Sequence, residues 1–349
     1  MSEPPAGHAG GAGPGEDPPG LDLARLEAWL DAELPGLRSG HLRGTVIAGG
    51  RSNLTYRLED GGSVWALRRP PLGHVLPTAH DMAREFRVIS GLRGSEVPVP
   101  VAVGLCEDPS VLGCPFYLMD FVDGVVLSRP RAVPADARHR VGELLVDTLV
   151  ALHTVDPGAV GLGDLGRPDG FRTRQVERWH RQFAASWEGD HPVETEVVRR
   201  LRGGVPTDGP TGIVHGDYRL TNLMYRPDLS AVAAVVDWEM ATLGDPLTDV
   251  ALLHAYHSLA SRAPGLLADF GPAQGYLGPD ELVARYCAAT GTPGEALDWY
   301  LTFAYFKISA IAAGIHARHR AGLTVGEGFE AFGSVVDLAL DAALSHLPT

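Results

Sequence analysis

Val214-His215-Gly216-Asp217-Tyr218-Arg219-Leu220-Thr221-Asn222, followed by Val236-Asp237-Trp238, is the stretch on which the reading of this chain turns. A spacing of H-G-D-x-x-x-x-N, with a second Asp at the end of a later apolar run, is the layout of a phosphoryl-transfer site. There one Asp orients and deprotonates an acceptor hydroxyl, while an Asn and another Asp hold the metal that bridges nucleotide phosphates. The local sequence explains the spacing. Tyr218-Arg219-Leu220 predicts a short irregular loop, Leu223-Met224-Tyr225 a short strand, and Arg226-Pro227-Asp228-Leu229-Ser230 a turn. Residues 231–236 predict a second apolar strand. Such a hairpin returns Asp237 beside Asn222. Two oxygen donors at its base suit Mg2+, which takes one or two protein oxygens and completes its shell with phosphates and water. Asp217 is then the base, and His215 a brace for the loop rather than a second base.

Outward from this centre the N-terminal half reads as β-rich. Val46-Ile47-Ala48 and Leu54-Thr55-Tyr56-Arg57-Leu58 flank Gly49-Gly50-Arg51-Ser52-Asn53, a strand, glycine turn and strand whose backbone N–H groups suit phosphates. Gly50, Ser52 and Asn53 are the nucleotide candidates there. The next strand, Val64-Trp65-Ala66-Leu67-Arg68, ends in two adjacent cations. Alternation alone does not choose between Arg68 and Arg69; the position after the apolar Ala66-Leu67 pair favours Arg68. Residues 78–92 predict a helix with Thr78 as N-cap and an apolar stripe of Met82, Phe86, Ile89 and Leu92, beside which Glu85 falls. A hairpin follows, from 101–106 to 115–119 with its turn at Asp108-Pro109-Ser110. Beyond it the chain turns helical, with helices expected over 135–153, 174–187, 246–258, 279–290, 297–317 and 329–347. The fifth holds Lys307 and is too short for a membrane span, so it reads as a buried core helix.

At 349 residues the chain has room for two domains, and 45% apolar residues suffice for real cores. Residues 1–20 are rich in Gly, Pro and Ala with no apolar segment, and read as a disordered leader rather than a signal peptide. Three cysteines argue against a disulfide scaffold. No C-x-x-C, H-E-x-x-H or G-x-S-x-G is present, so zinc and serine-hydrolase chemistry have no sequence support. A net charge of −14 speaks against nucleic acid as the main partner. With neither a signal peptide nor a membrane span, the expected location is cytoplasmic.

These motifs together resemble the aminoglycoside phosphotransferase and choline kinase superfamily, the small-molecule relatives of protein kinases. Within it they resemble the branch found beside, or fused to, acyl-CoA dehydrogenases. The residues that carry the narrower resemblance are 49–56, Leu67-Arg68-Arg69-Pro70-Pro71, Ala79-His80-Asp81-Met82-Ala83-Arg84-Glu85, and His215-Gly216-Asp217-Tyr218-Arg219 with Asp237-Trp238-Glu239. The resemblance covers about residues 25–345. It implies an α+β, bilobal, protein-kinase-like fold. Residues 21–122 would form a small antiparallel β lobe of about five strands with one helix, and 123–349 a larger, mostly helical catalytic and acceptor lobe. It implies ATP with Mg2+ in the cleft. Arg68 stands where kinases place a phosphate-binding Lys, a departure that a bidentate guanidinium fork tolerates. Glu85 would order Arg68. Asp120, Phe121 and Val122 would join the lobes and read the adenine through their backbone. Asp245 and Asp249 correspond to structural carboxylates that accept backbone N–H bonds from the catalytic loop.

The acceptor is argued from charge. Arg172, Arg174, Arg178, His180 and Arg181 cluster early in one predicted helix, and His316, Arg318, His319 and Arg320 near the end of another. Arg174, Arg178 and Arg181 are the acceptor-binding candidates. An aminoglycoside is a polycation and wants a carboxylate-lined cleft, whereas a phosphorylated or CoA-linked acceptor wants arginines. The basic helix therefore favours a hydroxyl on an anionic acceptor, a hydroxyacyl-CoA or hydroxy acid, over antibiotic phosphorylation. A pseudokinase that binds nucleotide and acts through partners is the non-enzymatic alternative. Only the Arg in place of Lys supports it, and the presence of Asp217, Asn222 and Asp237 together opposes it.

Overall fold

The computed structural model describes residues 17–47, 53–72, 81–128, 132–207, 209–263, 270–323 and 328–346. The chain is α+β and divides into two compact units. One holds the described residues up to Arg93 together with Val99–Asp123; the other holds Gly94–Pro98 and the described residues from Gly124 onward.

The first unit is built on an antiparallel sheet of β1 (Arg43–Val46), β2 (Leu54–Glu59), β3 (Val64–Arg69), β4 (Ala102–Cys106) and β5 (Phe116–Asp120), in the order β1-β2-β3-β5-β4. Alternation along the strands sends Tyr56, Leu58, Trp65, Leu67, Phe116 and Leu118 into one buried cluster. Helix α1 (Leu23–Glu33) covers that cluster with Leu26 and Leu30, both fully buried. The Asp22 side chain caps it by accepting the Arg25 N–H. Burying these two leucines contributes about 3–6 kcal/mol. One helix was expected in this unit. The structure adds α1 and the single-turn α3 (Pro109–Leu112) to α2 (Met82–Leu92). The start of α2 is set by Asp81, whose carboxylate accepts the Arg84 N–H; the expected cap, Thr78, lies outside the described residues. Residues 17–20, expected to belong to the leader, are tied to the sheet. Tyr56 Oη donates to the Pro19 carbonyl at 2.6 Å, and Arg69 donates to that of Gly20.

The second unit is mainly helical. Its helices are α4 (Arg138–Thr154), α5 (Phe171–Ser186), α6 (Pro192–Gly203), α7 (Leu247–Arg262), α8 (Pro279–Thr290), α9 (Asp298–Arg320) and α10 (Phe332–Ser345). Helix α9 is buried on every side from Tyr300 to Ala310, as befits a stretch that is mostly apolar on all faces with Lys307 as its one charge. Helices α5, α6, α7 and α10 pack against it. Helix α6 was not expected, although Pro192 at its first turn and Val197, Val198 and Leu201 at helical spacing mark it. Two small antiparallel sheets complete the unit. Strand β7 (Gly212–Val214) pairs with β10 (Thr242–Gly244), and β6 (Val125–Val126), β8 (Leu223–Tyr225) and β9 (Val232–Val235) form the other. The β8–β9 hairpin is the one the sequence predicts, with Leu223 opposite Val235. Among the described residues no helix is long and apolar enough to cross a membrane.

Candidate active site

The loop 215–222 runs between β7 and β8 and is held from beneath. Tyr218 is fully buried and donates its hydroxyl to the Leu145 carbonyl of α4 at 2.7 Å. Asp249, near the start of α7 and 1% exposed, accepts the His215 N–H on Oδ2 at 2.7 Å and the Gly216 N–H on Oδ1 at 2.9 Å. Burial by itself would raise the Asp249 carboxyl. The His153 hydrogen bond and charge, with the Gly216 N–H, outweigh it and hold the group below its ordinary value. Asp245, expected to accept backbone N–H bonds from the same loop, spends its carboxylate elsewhere. It takes Arg172 Nε at 2.7 Å and Tyr300 Oη at 2.6 Å and caps α7 through the Leu247 N–H.

His215 is the brace. Its Nε2 faces the Val236 carbonyl at 3.0 Å, and its Nδ1 accepts the Asp217 N–H at 3.3 Å. A carbonyl can only accept and a backbone N–H only donate, so the partners fix the tautomer with the proton on Nε2. The ring packs 4.7 Å from Trp238 and is fully buried, which leaves no nitrogen for a substrate. Gly216 has φ +83, and a Cβ there would stand 2.8 Å from the Met240 carbonyl oxygen, so the turn requires glycine.

Asp217 is held on both oxygens. Tyr256 Oη donates to Oδ1 at 3.2 Å, and Asn222 Nδ2 donates to Oδ2 at 3.1 Å and to the Asp217 carbonyl at 2.9 Å. Arg219 Nε lies 3.3 Å from Oδ2, with its guanidinium over the Tyr256 ring. Tyr256 and Asp249 are seven residues apart on α7 and so share a face. One helix thus secures both the backbone of the loop and its carboxylate. Tyr256 was not singled out from sequence, and Arg219 was quoted within the motif without a role. Asp237 is brought to Asn222 by the hairpin, through the Val236 N–H bonded to the Asn222 carbonyl at 3.0 Å. Its backbone is left-handed, φ 69 and ψ 58, a conformation that Asp and Asn tolerate better than other side chains. The donor set fits a hard cation. Asn222 spends its N–H groups on Asp217, which leaves its Oδ1 for a metal, and Asp237 adds a carboxylate. Mg2+ needs no closed cage of side chains, since substrate phosphates and water complete its shell.

The first unit carries its own polar cluster on the sheet face opposite the apolar one. Glu85, 1% exposed, pairs with Arg68 Nε at 2.8 Å and accepts from Asn53 Nδ2 at 3.0 Å and Tyr117 Oη at 3.1 Å. The stripe of α2 differs from the expected one. Glu85 lies within the buried face with Met82, Val88, Ile89 and Leu92, and Phe86 at its margin. Arg69 points to the other face and is spent on the Leu112 carbonyl at 3.2 Å and on Gly20. Gly50 and Ser52 lie outside the described residues. The Asp120 and Phe121 N–H groups are used by the sheet, on the Val101 and Val64 carbonyls. Of the expected adenine segment, that leaves Val122 as the residue whose N–H is not committed to these two bonds.

On α5, Arg174 donates to the Asp169 and Arg167 carbonyls, Arg178 lies over the Trp179 ring at 5.4 Å, and Arg181 is exposed. Arg172 is committed to Asp245, and His180 to Glu194 at 2.8 Å. The basic run is therefore partly structural. Lys307, on the facing α9, donates to the Gly216 carbonyl and sits 5.1 Å over the Trp179 ring. Burial pushes its ammonium down to about 8, against the pull of Asp217 and Asp249.

A bilobal α+β chain with these two clusters is a phosphotransferase of the kinase-like class, and the Phosphotransferase enzyme family matches residues 43–297; the chain belongs to that family. It is 34% identical over 329 residues to acyl-CoA dehydrogenase family member 11 of Gallus gallus, covering 90% of this chain and 42% of that protein. It is 32% identical over 329 residues to family member 10 of Mus musculus, covering 90% of this chain and 31% of that one. The chain spans less than half the length of these relatives. A crystal structure from Ralstonia eutropha, assigned as an aminoglycoside phosphotransferase, is 32% identical with TM-score 0.80, covering 93% of this chain and 98% of that one. A thermostable mutant of aminoglycoside phosphotransferase APH(4)-Ia, in ternary complex with AMP-PNP and hygromycin B, shares the fold at 15% identity and TM-score 0.59, covering 92% of this chain and 97% of that one.

Proposed function

We propose that the protein is a small-molecule kinase that transfers the γ-phosphoryl group of ATP to a hydroxyl of an anionic acceptor, a hydroxyacyl-CoA or hydroxy acid. The observation that carries this reading is Asp217, clamped on both oxygens beside Asn222 and the hairpin-borne Asp237. The acceptor hydroxyl gives its proton to Asp217 as its oxygen bonds to the γ-phosphorus. The bond from that phosphorus to the bridging oxygen breaks, and ADP leaves. Asn222 and Asp237 would hold Mg2+, which supplies charge neutralisation to the phosphates when bound. Arg68, ordered by Glu85, binds phosphate oxygens, and Asn53 links the end of the glycine turn to the same Glu. Base recognition falls to the backbone of residues 120–122, with Val122 as the N–H donor, since the Asp120 and Phe121 N–H groups serve the sheet. The names of the acyl-CoA dehydrogenase relatives and the exposed Arg181 support a CoA-linked acceptor.

The test is ATP consumption with Mg2+ across hydroxyacyl-CoAs, hydroxy acids, choline-like alcohols and aminoglycosides, with Asp217→Asn as control. Selective turnover of an anionic class, abolished in the variant while nucleotide still binds, is the expected result. Selective turnover of aminoglycosides would replace the acceptor assignment, and nucleotide binding with no metal-dependent turnover would point to a pseudokinase.

A further inference from the structure

Lys307 is 6% exposed, lies in the middle of α9, and has no part in the chemistry above. The carbonyl it grips belongs to the peptide that joins Gly216 to Asp217. The N–H of that same peptide donates to His215 Nδ1. The plane leading into Asp217 is therefore pinned at both edges, at oxygen by Lys307 and at nitrogen by His215. It needs pinning, because Gly216 has no Cβ to restrict rotation about its own bonds. We propose that Lys307 is a positioning residue of the transfer reaction, fixing the Gly216–Asp217 peptide from beneath so that the Asp217 carboxylate keeps its place.

A buried ammonium is disfavoured unless something uses its charge, and an apolar side chain of similar length would fill the space more cheaply. What the charge meets here is the Gly216 carbonyl, the Trp179 face, and the fields of Asp217 from the loop and Asp249 from α7, with Arg178 of α5 opposing. Its lowered value means that Lys307 loses its proton within the range of an ordinary rate assay, near pH 8. The grip on the loop then weakens as pH rises.

The inference rests on the kinase reading for its activity arm only. The experiment compares the wild-type chain with Lys307→Met in two measurements. One is the rate of MgATP hydrolysis, with water as acceptor, from about pH 6 to 10. The other is amide hydrogen exchange over residues 213–222. The variant is expected to stay folded by near-UV circular dichroism, to lose rate roughly 10- to 100-fold, and to keep its KM for ATP within about twofold. The alkaline fall of the wild-type rate is expected to vanish, and exchange over 213–222 to rise. A folded variant with the wild-type rate, or with a lowered rate but an unchanged alkaline fall and unchanged exchange, overturns the proposal. Lys307→Gln, which keeps an N–H donor without the charge, serves where the Met variant does not fold, and it too is expected to lose the alkaline fall. A wild-type chain that neither hydrolyses nor transfers phosphate would sink the kinase reading alone, and the exchange arm would then decide the role of Lys307.

Discussion

Replacing Asp249 with Asn tests the bracing of the 215–222 loop with almost no change in volume. The two carboxylate oxygens divide their work, Oδ2 on the His215 N–H at 2.7 Å and Oδ1 on the Gly216 N–H at 2.9 Å. An amide offers one oxygen and one NH2. Whichever way it turns, one backbone N–H meets another N–H, and the remaining oxygen accepts without a full charge. Losing a charge-assisted bond costs about 1.5–3 kcal/mol, and stranding its buried donor about 1–3. Because these overlap, the native state should lose about 3–5 kcal/mol. The assay is urea unfolding followed by tryptophan fluorescence, to which Trp238, packed on His215, contributes. The sign of the pH dependence follows from the lowered Asp249 carboxyl. Its contribution is complete above the unfolded value of about 4 and is lost as pH falls through its lower folded value. The gap between wild type and variant should therefore be full at neutral pH and close in acid. A neutral-pH difference under about 1 kcal/mol, or one that persists unchanged in acid, would refute the reasoning.

Two further expectations concern the nucleotide. Asp237→Asn keeps a side chain that accepts the left-handed backbone but removes the charge. It should weaken Mg2+-dependent ATP binding by about tenfold or more; equal affinity with and without Mg2+ in both proteins, by titration calorimetry, would count against a metal role. Tyr117→Phe removes one of the donors to buried Glu85 and should cost about 1–2 kcal/mol of stability. It should also raise the dissociation constant for ATP several-fold, and an unchanged constant would separate Tyr117 from the ordering of Arg68.

The loop and hairpin were legible because their signals are local. Turn chemistry at 226–230 and two short apolar runs determine where residue 237 returns. The choice between Arg68 and Arg69 was a matter of parity, and parity depends on which face α1 covers. Leu67 faces α1, so Arg69 follows it and Arg68 turns to α2. Without α1 the alternation reads equally well either way. Asp22 as cap with Leu26 and Leu30 behind it marks that helix, but it lies next to a Gly- and Pro-rich leader that obscures it. Tyr256, Lys307 and Trp179 were out of reach for a different reason. Tyr256 and Lys307 meet the loop from helices far away in sequence, Trp179 bears on it only through Lys307, and nothing in a stripe of buried residues shows which one carries a hydroxyl or an ammonium to residue 216 or 217.

The left-handed backbone at Asp237 bears on how this position can vary. Glutamate carries the same charge and is the usual chemical substitute, yet its longer chain gives no local hydrogen bond to offset the αL strain of about 1–2 kcal/mol. Asparagine keeps the geometry and forfeits the charge; glycine relaxes the strain and forfeits the carboxylate. Aspartate alone combines a short anionic arm with tolerance of that turn, so the alphabet open to this position is narrowed by the main chain before any metal is considered.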